Sequence, residues 1–368
     1  MASFPALKTG VVAQYPSDRA RRFSTQVLRF LDGSEQRFSG FSAPLRRWLI
    51  RLELLDEADV FLTTLLPSVR TKLGIDVEDI HAVNSSVIYA RGSAYGPCGP
   101  ESEKVDTGGM AYWGRTGISD AVTPEGAMQC GRSPAPAFGD VQGAMALAGG
   151  IAAALFRRER TGLGCVVDAS LLGAGMWAMQ PSLVGANMVG ADALPKFSHF
   201  DPTNPLVEMY RTADQRYIAL NMLEADRYWI GLCEVLGQPE LAADERFQDM
   251  ASRRKHAGDC VRALDEIFAS RTLAEWTTIL QQQEGQWDVV RTVSQLNHDP
   301  QASANGYIST IAHGGRTLTA VPAPVQFNEE DHPLSPAPEY AASTEEILLE
   351  MNYDRSTIAR LKESRVIC

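Results

Sequence analysis

Apolar and polar positions change rhythm along this chain. From Ala58 short apolar runs alternate with amphipathic stretches. DVFLTTLL reads as a buried strand and PSVRTKLG as a short helix opened by Pro67, while DVEDIHAVN reads as a helix capped by Asp76 before a second strand at SSVIYARGS. Strand, helix and strand in this order predict a parallel, doubly wound α/β layer. The longest helical pattern runs from about Asp140 to Arg160, opens with Gly139-Asp140, carries GAMALAGGIAAAL and closes on basic residues before Gly162. Its many Ala and Gly residues admit close neighbours, which marks a central packing element. A strand at CVVDASL and a helix over LLGAGMWAMQPSL follow.

Residues 188–204 are rich in Pro, Gly and Asn and lack periodicity, so they read as a linker. Beyond it VEMYRTADQRYIALNM predicts a hairpin, and helices follow at ADRYWIGLCEVLG, RRKHAGDCVRALDEIFAS and LAEWTTILQQQ. A β segment at GGRTLTAVPAPVQF, a Pro-rich stretch and a last helix near EEILLEMNYDRSTIARLKE complete the chain. The expected organisation is a large α/β domain from 57–187 rejoined by 311–368, and a smaller α+β domain at 205–310. Residues 1–56 stand apart. There RARRFSTQVLRFLDGSEQRF predicts an amphipathic β ribbon turning at Asp32-Gly33, followed by the basic, aromatic LRRWLIRLELL.

Charge sharpens this division. Residues 1–56 hold nine basic and five acidic side chains, against 25 and 40 in the remainder, within a net charge of −11 for 368 residues. An acidic protein of this kind is not held on nucleic acid or an anionic membrane by a general basic field, so an anionic ligand must be met by local cations. The expectation is no nucleic-acid and no membrane partner. Hydrophobic residues make up 45%, enough for a buried core. The six cysteines are spread singly without zinc-site spacing and read as reduced, mostly buried thiols. With no signal-peptide pattern over Met1 to Gly10, the expected location is cytoplasmic.

The chain has no G-x-G-x-x-G after a strand, no P-loop and no G-x-S-x-G elbow. Its six histidines are isolated, so no metal site is expected. Asp106-Thr107-Gly108 imitates an aspartic-protease motif without a second copy and reads as a turn. Asp140 has two readings: an N-cap side chain, or a carboxylate kept ionised by a helix N-terminus and available as nucleophile or base.

The run FGDVQGAMALAGGIAAALFRRERTGLGCVVDASLL resembles the signature region of the class III CoA-transferase family, which includes formyl-CoA transferase, carnitine CoA-transferase and α-methylacyl-CoA racemase. The resemblance extends through ADVFLTTLLPSVRTKLGIDVEDIHAVNSSVIYARGSAYGPCGP and through NPLVEMYRTADQRYIALNM to the terminal helix, over about 57–368. It implies a large Rossmann-like domain with a smaller one, and an interlocked homodimer. It implies CoA transfer between an acyl-CoA and a carboxylic acid, with Asp140 as nucleophile, CoA thioester as substrate and no permanently bound cofactor. Backbone amides around Gly139 and Gly143 would stabilise oxyanions, and Lys72, Lys104 and Arg115 would supply cations near CoA.

Two departures bear on activity. The family's racemase branch places a His just before the segment equivalent to DTGGMAYWG, where this chain reads Lys104-Val105-Asp106, so transferase is preferred over racemase, with Asp106 as the one substitute acid. Leu66 stands where the family carries an Arg, and residues 1–56 do not resemble the family's first layer. That segment is instead faintly similar to a phage tail or gene-transfer-agent protein. An impaired remnant or an interaction protein is the rival expectation.

Overall fold

The computed structural model describes residues 43–367, apart from 191–194, 197, 329 and 331–333. The β ribbon expected around Asp32-Gly33 and the phage-like reading lie outside the described residues. Two compact units form, one from the chain up to Lys196 together with Ala341 onward, the other from Phe197–Tyr340. Residues 311–340, expected with the first unit, thus belong to the second.

In the first unit, helix α1 (Ala43–Asp56) precedes strand β1 (Val60–Thr63), helices α2 (Pro67–Leu73) and α3 (Val77–His81), and strand β2 (Ile88–Ser93). A π-helical segment at Gly108–Gly114 and a single turn, α4 (Ile118–Ala121), lead to the long helix α5 (Phe138–Thr161), then strand β3 (Cys165–Ser170) and helices α6 (Leu171–Ala178) and α7 (Gln180–Val189). The three strands form a parallel sheet in the order β1-β2-β3, with Val60 beside Ile88 and Ile88 beside Cys165. Alternation sends successive side chains to opposite faces. Phe61 and Tyr89 therefore pack with Leu73, Ile75 and Ile80 under α2 and α3, while Val60, Ile88 and Ala90 pack with Leu147 and Ala154 of α5. Both faces of β2 are covered, as a parallel strand requires.

Local chemistry fixes these elements. Pro67 opens α2 and Gly74, at φ 61°, closes it; Asp76 and Asp79 form a reciprocal capping box on α3. Asn84 donates to the carbonyls of Leu55, Asp56 and Ala58 at 3.0, 3.2 and 3.1 Å, joining the end of α1 to the sheet. Arg158 near the end of α5 donates to the Asp59 carboxylate at 2.6 Å. Among the described residues α5 is the one helix long and apolar enough to cross a membrane by length and composition. Here it lies along β2 and β3.

Helix α1 corrects one expectation. The segment up to residue 56 is not wholly foreign, because Ile50 of α1 shares a buried cluster with Leu348, Tyr353, Ile358, Leu361 and Val366 of the C-terminal helices Thr344–Glu350 and Arg355–Glu363. Those two helices were expected as one. Asn352, at φ 64°, and the Asp354 cap separate them. The helix expected over 171–183 is likewise divided at Met179, since Pro181 favours a new first turn.

In the second unit, β4 (Val207–Arg211) and β5 (Tyr217–Asn221) make the expected hairpin, joined by a short β6 (Trp287–Val289) in one antiparallel sheet. Helices α8 (Ala225–Val235), α9 (Pro239–Ala243), α10 (Met250–Lys255), α11 (Ala257–Phe268) and α12 (Leu273–Leu280) accompany it. The expected helix over 253–270 breaks at His256, and Thr272 and Glu275 box the start of α12. The core gathers Tyr210, Ile218, Trp229, Leu232, Phe247, Leu264, Phe268 and Trp276. A second hairpin, β7 (Ser309–His313) with β8 (Arg316–Ala320), turns on Gly314 and Gly315, both at positive φ.

Candidate active site

Helix α5 begins at Phe138, with Ala137 at φ 56° in the cap position. Asp140 is therefore the third helical residue and not the cap. It is exposed, in a first turn whose N–H groups precede the first intrahelical bond, Val141 N–H to the Ala137 carbonyl at 3.0 Å. An anionic side chain there meets the positive end of a 24-residue helix.

The backbone of the π-helical segment approaches this turn closely. A Cβ on Gly108 would lie 2.9 Å from both the backbone N and Oδ2 of Asp140. A Cβ on Gly139 would lie 2.5 Å from Cβ of Tyr112 and 3.0 Å from the Gly108 carbonyl oxygen. Both positions require glycine by close approach. Phe138 is set edge-on against Tyr112 and Trp113, with ring centroids 6.4 and 5.9 Å apart, and the Trp113 indole donates to the Gly131 carbonyl at 2.7 Å. Gly143 is buried under Leu171, and its N–H lies beyond the first turn, committed to the helix ladder.

A cleft of about 130 Å³ opens at the C-terminal ends of β1 and β2, where open parallel sheets place their ligand sites. Its lining includes Thr64, Leu66, Arg91, Ser93, Lys104 and Asp106. Lys104 thus reaches the cleft; Lys72 and Arg115 are not among its lining residues, and Lys72 is exposed on α2. Arg115 nevertheless joins Lys104, because Glu101 receives Lys104 at 3.1 Å and Arg115 at 2.6 Å. The hydrogen bond from Lys104 foremost, and then the Arg115 charge, hold the Glu101 carboxyl below its usual range. Both cations also lie over the Tyr95 ring, at 4.7 and 5.3 Å from its centroid.

Several residues here carry no mark in the sequence pattern. Arg91 pairs through two nitrogens with Asp168 across β2 and β3. Buried Arg70 pairs with Asp76 at 3.2 Å and donates to the Leu65 carbonyl at 2.7 Å. Tyr95 donates to the Asp106 carboxylate, whose other oxygen accepts the Thr107 N–H at 2.6 Å. One signal was available in the sequence: Asp168 is a lone charge inside the apolar CVVDASL. Tyr95 carried none, since an aromatic in a Gly- and Pro-rich loop predicts no partner. Asp106-Thr107-Gly108, expected as a turn, leads into the π-helical segment. No group of metal-ligating side chains occurs among the described residues.

The doubly wound sheet thus carries a cleft at its strand ends, and Asp140, in the first turn of α5, is not among the residues that line it. The family model of CoA-transferase family III matches residues 49–344, and this chain belongs to that family. The match begins ahead of the expected boundary at 57, within α1. Similar proteins include the (R)-2-hydroxy-4-methylpentanoate CoA-transferase of Clostridioides difficile, 30% identical over 321 residues that span 86% of this chain and 78% of that one. The cinnamoyl-CoA:phenyllactate CoA-transferase of Clostridium sporogenes is 26% identical, over 86% of this chain and 77% of its own. Among solved structures, Rv3272 from Mycobacterium tuberculosis in its orthorhombic form superposes with a TM-score of 0.65 at 26% identity, over 78% of this chain and 73% of that chain. A CAIB/BAIF family protein from Brucella suis shares the fold, with a TM-score of 0.70 at 23% identity over 83% and 78% of the two chains.

Proposed function

We propose that this protein moves CoA from an acyl-CoA to a carboxylic acid through covalent intermediates on Asp140. The Asp140 carboxylate attacks the thioester carbonyl and expels CoA thiolate, leaving a mixed anhydride. The thiolate then attacks the aspartyl carbonyl, releasing the donor's free acid and forming an aspartyl-CoA thioester. An acceptor carboxylate displaces the thiolate to form a second anhydride, and attack of the thiolate on the new acyl carbonyl yields the product thioester and regenerates Asp140. The thioester is conserved throughout, so the cycle calls for no ATP.

One observation carries this reading: an exposed carboxylate in the first turn of α5, with the Gly108 backbone against it and the turn's amides beside it. Those amides, Gly139 among them, are donors for the oxyanion that develops at each carbonyl. Gly143 contributes packing in this scheme. Lys104 in the cleft is the cation for the CoA phosphates, with Arg115 supporting it through Glu101. Exposed Met176, Trp177, Met188 and Val189 on α6 and α7 support a homodimer.

Relatives named for acetyl-CoA:oxalate, succinyl-CoA:glutarate and cinnamoyl-CoA:phenyllactate transfer define a test panel. Donors acetyl-, succinyl- and cinnamoyl-CoA are paired with oxalate, glutarate, phenyllactate and 2-hydroxy-4-methylpentanoate, and new thioester is followed by chromatography. Transfer in one or more pairs, reduced at least about 10³-fold in Asp140→Ala, is the expected result. Transfer that survives this substitution removes Asp140 from the mechanism. Exchange of the α-proton of a 2-methylacyl-CoA in deuterated water without any CoA transfer, abolished by Asp106→Asn, identifies the epimerase instead.

A further inference from the structure

Tyr95 follows the end of β2 and is half-buried. Its hydroxyl donates to one oxygen of Asp106, and the other oxygen of that carboxylate accepts the Thr107 N–H at 2.6 Å. Thr107 is the residue before the π-helical segment, and the next residue, Gly108, is buried against Asp140. A covalently short path therefore runs from the Tyr95 phenol, through one carboxylate and one peptide, to the backbone beside Asp140. Nothing on this path is an apolar contact that could slide.

The surroundings of Tyr95 hold it in one place. Lys104 and Arg115 lie over its ring and are both tied to Glu101. Hydrogen bonding to Asp106 is the first cause that raises the Tyr95 phenol above its usual value, so the group remains a donor through neutral and moderately alkaline pH. Asp106 thereby has a fixed partner and keeps both oxygens oriented, one to Tyr95 and one to the Thr107 amide.

We propose that Tyr95 is a positioning residue for Asp140: through Asp106 it fixes the turn at Thr107-Gly108 that forms the wall of the reacting carboxylate. This rests on the transfer reading of Asp140 for its catalytic consequence, and on geometry alone for its structural one. The role differs from that of Lys104 and Arg115, which carry charge. Tyr95 carries none and reaches neither thioester nor acceptor in this scheme.

The test uses the full chain with Tyr95→Phe, which keeps the ring that both cations lie over and removes only the hydroxyl, together with Asp106→Asn and the double variant. Hydrogen exchange followed by mass spectrometry over peptides spanning 104–110 is expected to speed up about tenfold in either single variant, with melting temperature held and no further increase in the double. With whichever of acetyl-, succinyl- or cinnamoyl-CoA labels wild-type Asp140, kcat is expected to fall about tenfold in Tyr95→Phe with KM for the donor unchanged within about twofold. Exchange over 104–110 equal to wild type, or effects of the two substitutions that simply add, overturns the proposal. If no donor labels wild-type Asp140, the transfer reading fails, and the exchange result alone then upholds or overturns the link from Tyr95 to Gly108.

Discussion

At the scale of single residues, what places Asp140 is the absence of side chains around it. Gly139 and Gly108 let two backbone segments approach within van der Waals contact, and either glycine is replaced only by moving one segment. Gly139→Ala is expected to cost about 1 to 3 kcal/mol of stability through the clash with Tyr112, read as a lowered denaturation midpoint, and to reduce transfer by displacing the first turn of α5. Reactivity separates the cysteines in the same way. Cys98 and Cys130 are exposed, contrary to the expectation of mostly buried thiols, whereas Cys233 and Cys260 are buried, and burial pushes each of those thiols up to about 12. At pH 8 a maleimide or iodoacetamide should label Cys98 and Cys130 within minutes and leave Cys233 and Cys260 unlabelled until the protein is denatured. Mass mapping of the labelled peptides checks this.

At the scale of elements, helix ends carry much of the specificity. Asp76 serves twice, capping α3 and pairing with Arg70, whose side chain is only 6% exposed. Asp76→Ala should lower stability by about 1 to 3 kcal/mol, more than a surface cap alone, because it also leaves a buried guanidinium with one carbonyl partner; chemical denaturation measures the difference. Such elements were legible in the chain. Pro67, Gly74, Asp76 and the alternation in DVFLTTLL and SSVIYARGS mark their own boundaries, and the long Ala- and Gly-rich helix was found to within two residues at its start. What could not be read was set by tertiary contact. The π-helical segment exists where Tyr112 packs on Gly139, and Met179, His256 and Asn352 end helices whose polar and apolar pattern continues past them. The candidate site divided likewise. Asp140 and Lys104 were marked by resemblance to the family, while Tyr95, Arg91 and Asp168 acquire meaning only when β2, β3 and the 104–108 loop are adjacent.

At the scale of the whole molecule, the chain is acidic and each cation lining the cleft is already paired: Arg70 with Asp76, Arg91 with Asp168, Lys104 with Glu101. A phosphate entering the cleft would share these cations with resident carboxylates. Trp177 is 77% exposed and Met188 83% exposed on successive helices, which supports the proposed homodimer. Sedimentation should give twice the 40.1 kDa chain mass, and Trp177→Asp should shift it toward the monomer. A wild-type protein that sediments as a monomer at micromolar concentration would remove the dimer from the account.

The central claim is that Asp140 becomes covalently bonded during transfer, and trapping tests it most directly. The protein is incubated with acetyl-, succinyl- or cinnamoyl-CoA, quenched with hydroxylamine, digested and analysed by mass spectrometry. A hydroxamate on Asp140 of the FGDVQGAMALAGG segment, dependent on the acyl-CoA and absent in Asp140→Asn, is the result expected. Transfer activity accompanied by an unmodified Asp140, or by a hydroxamate on another carboxylate, would contradict it.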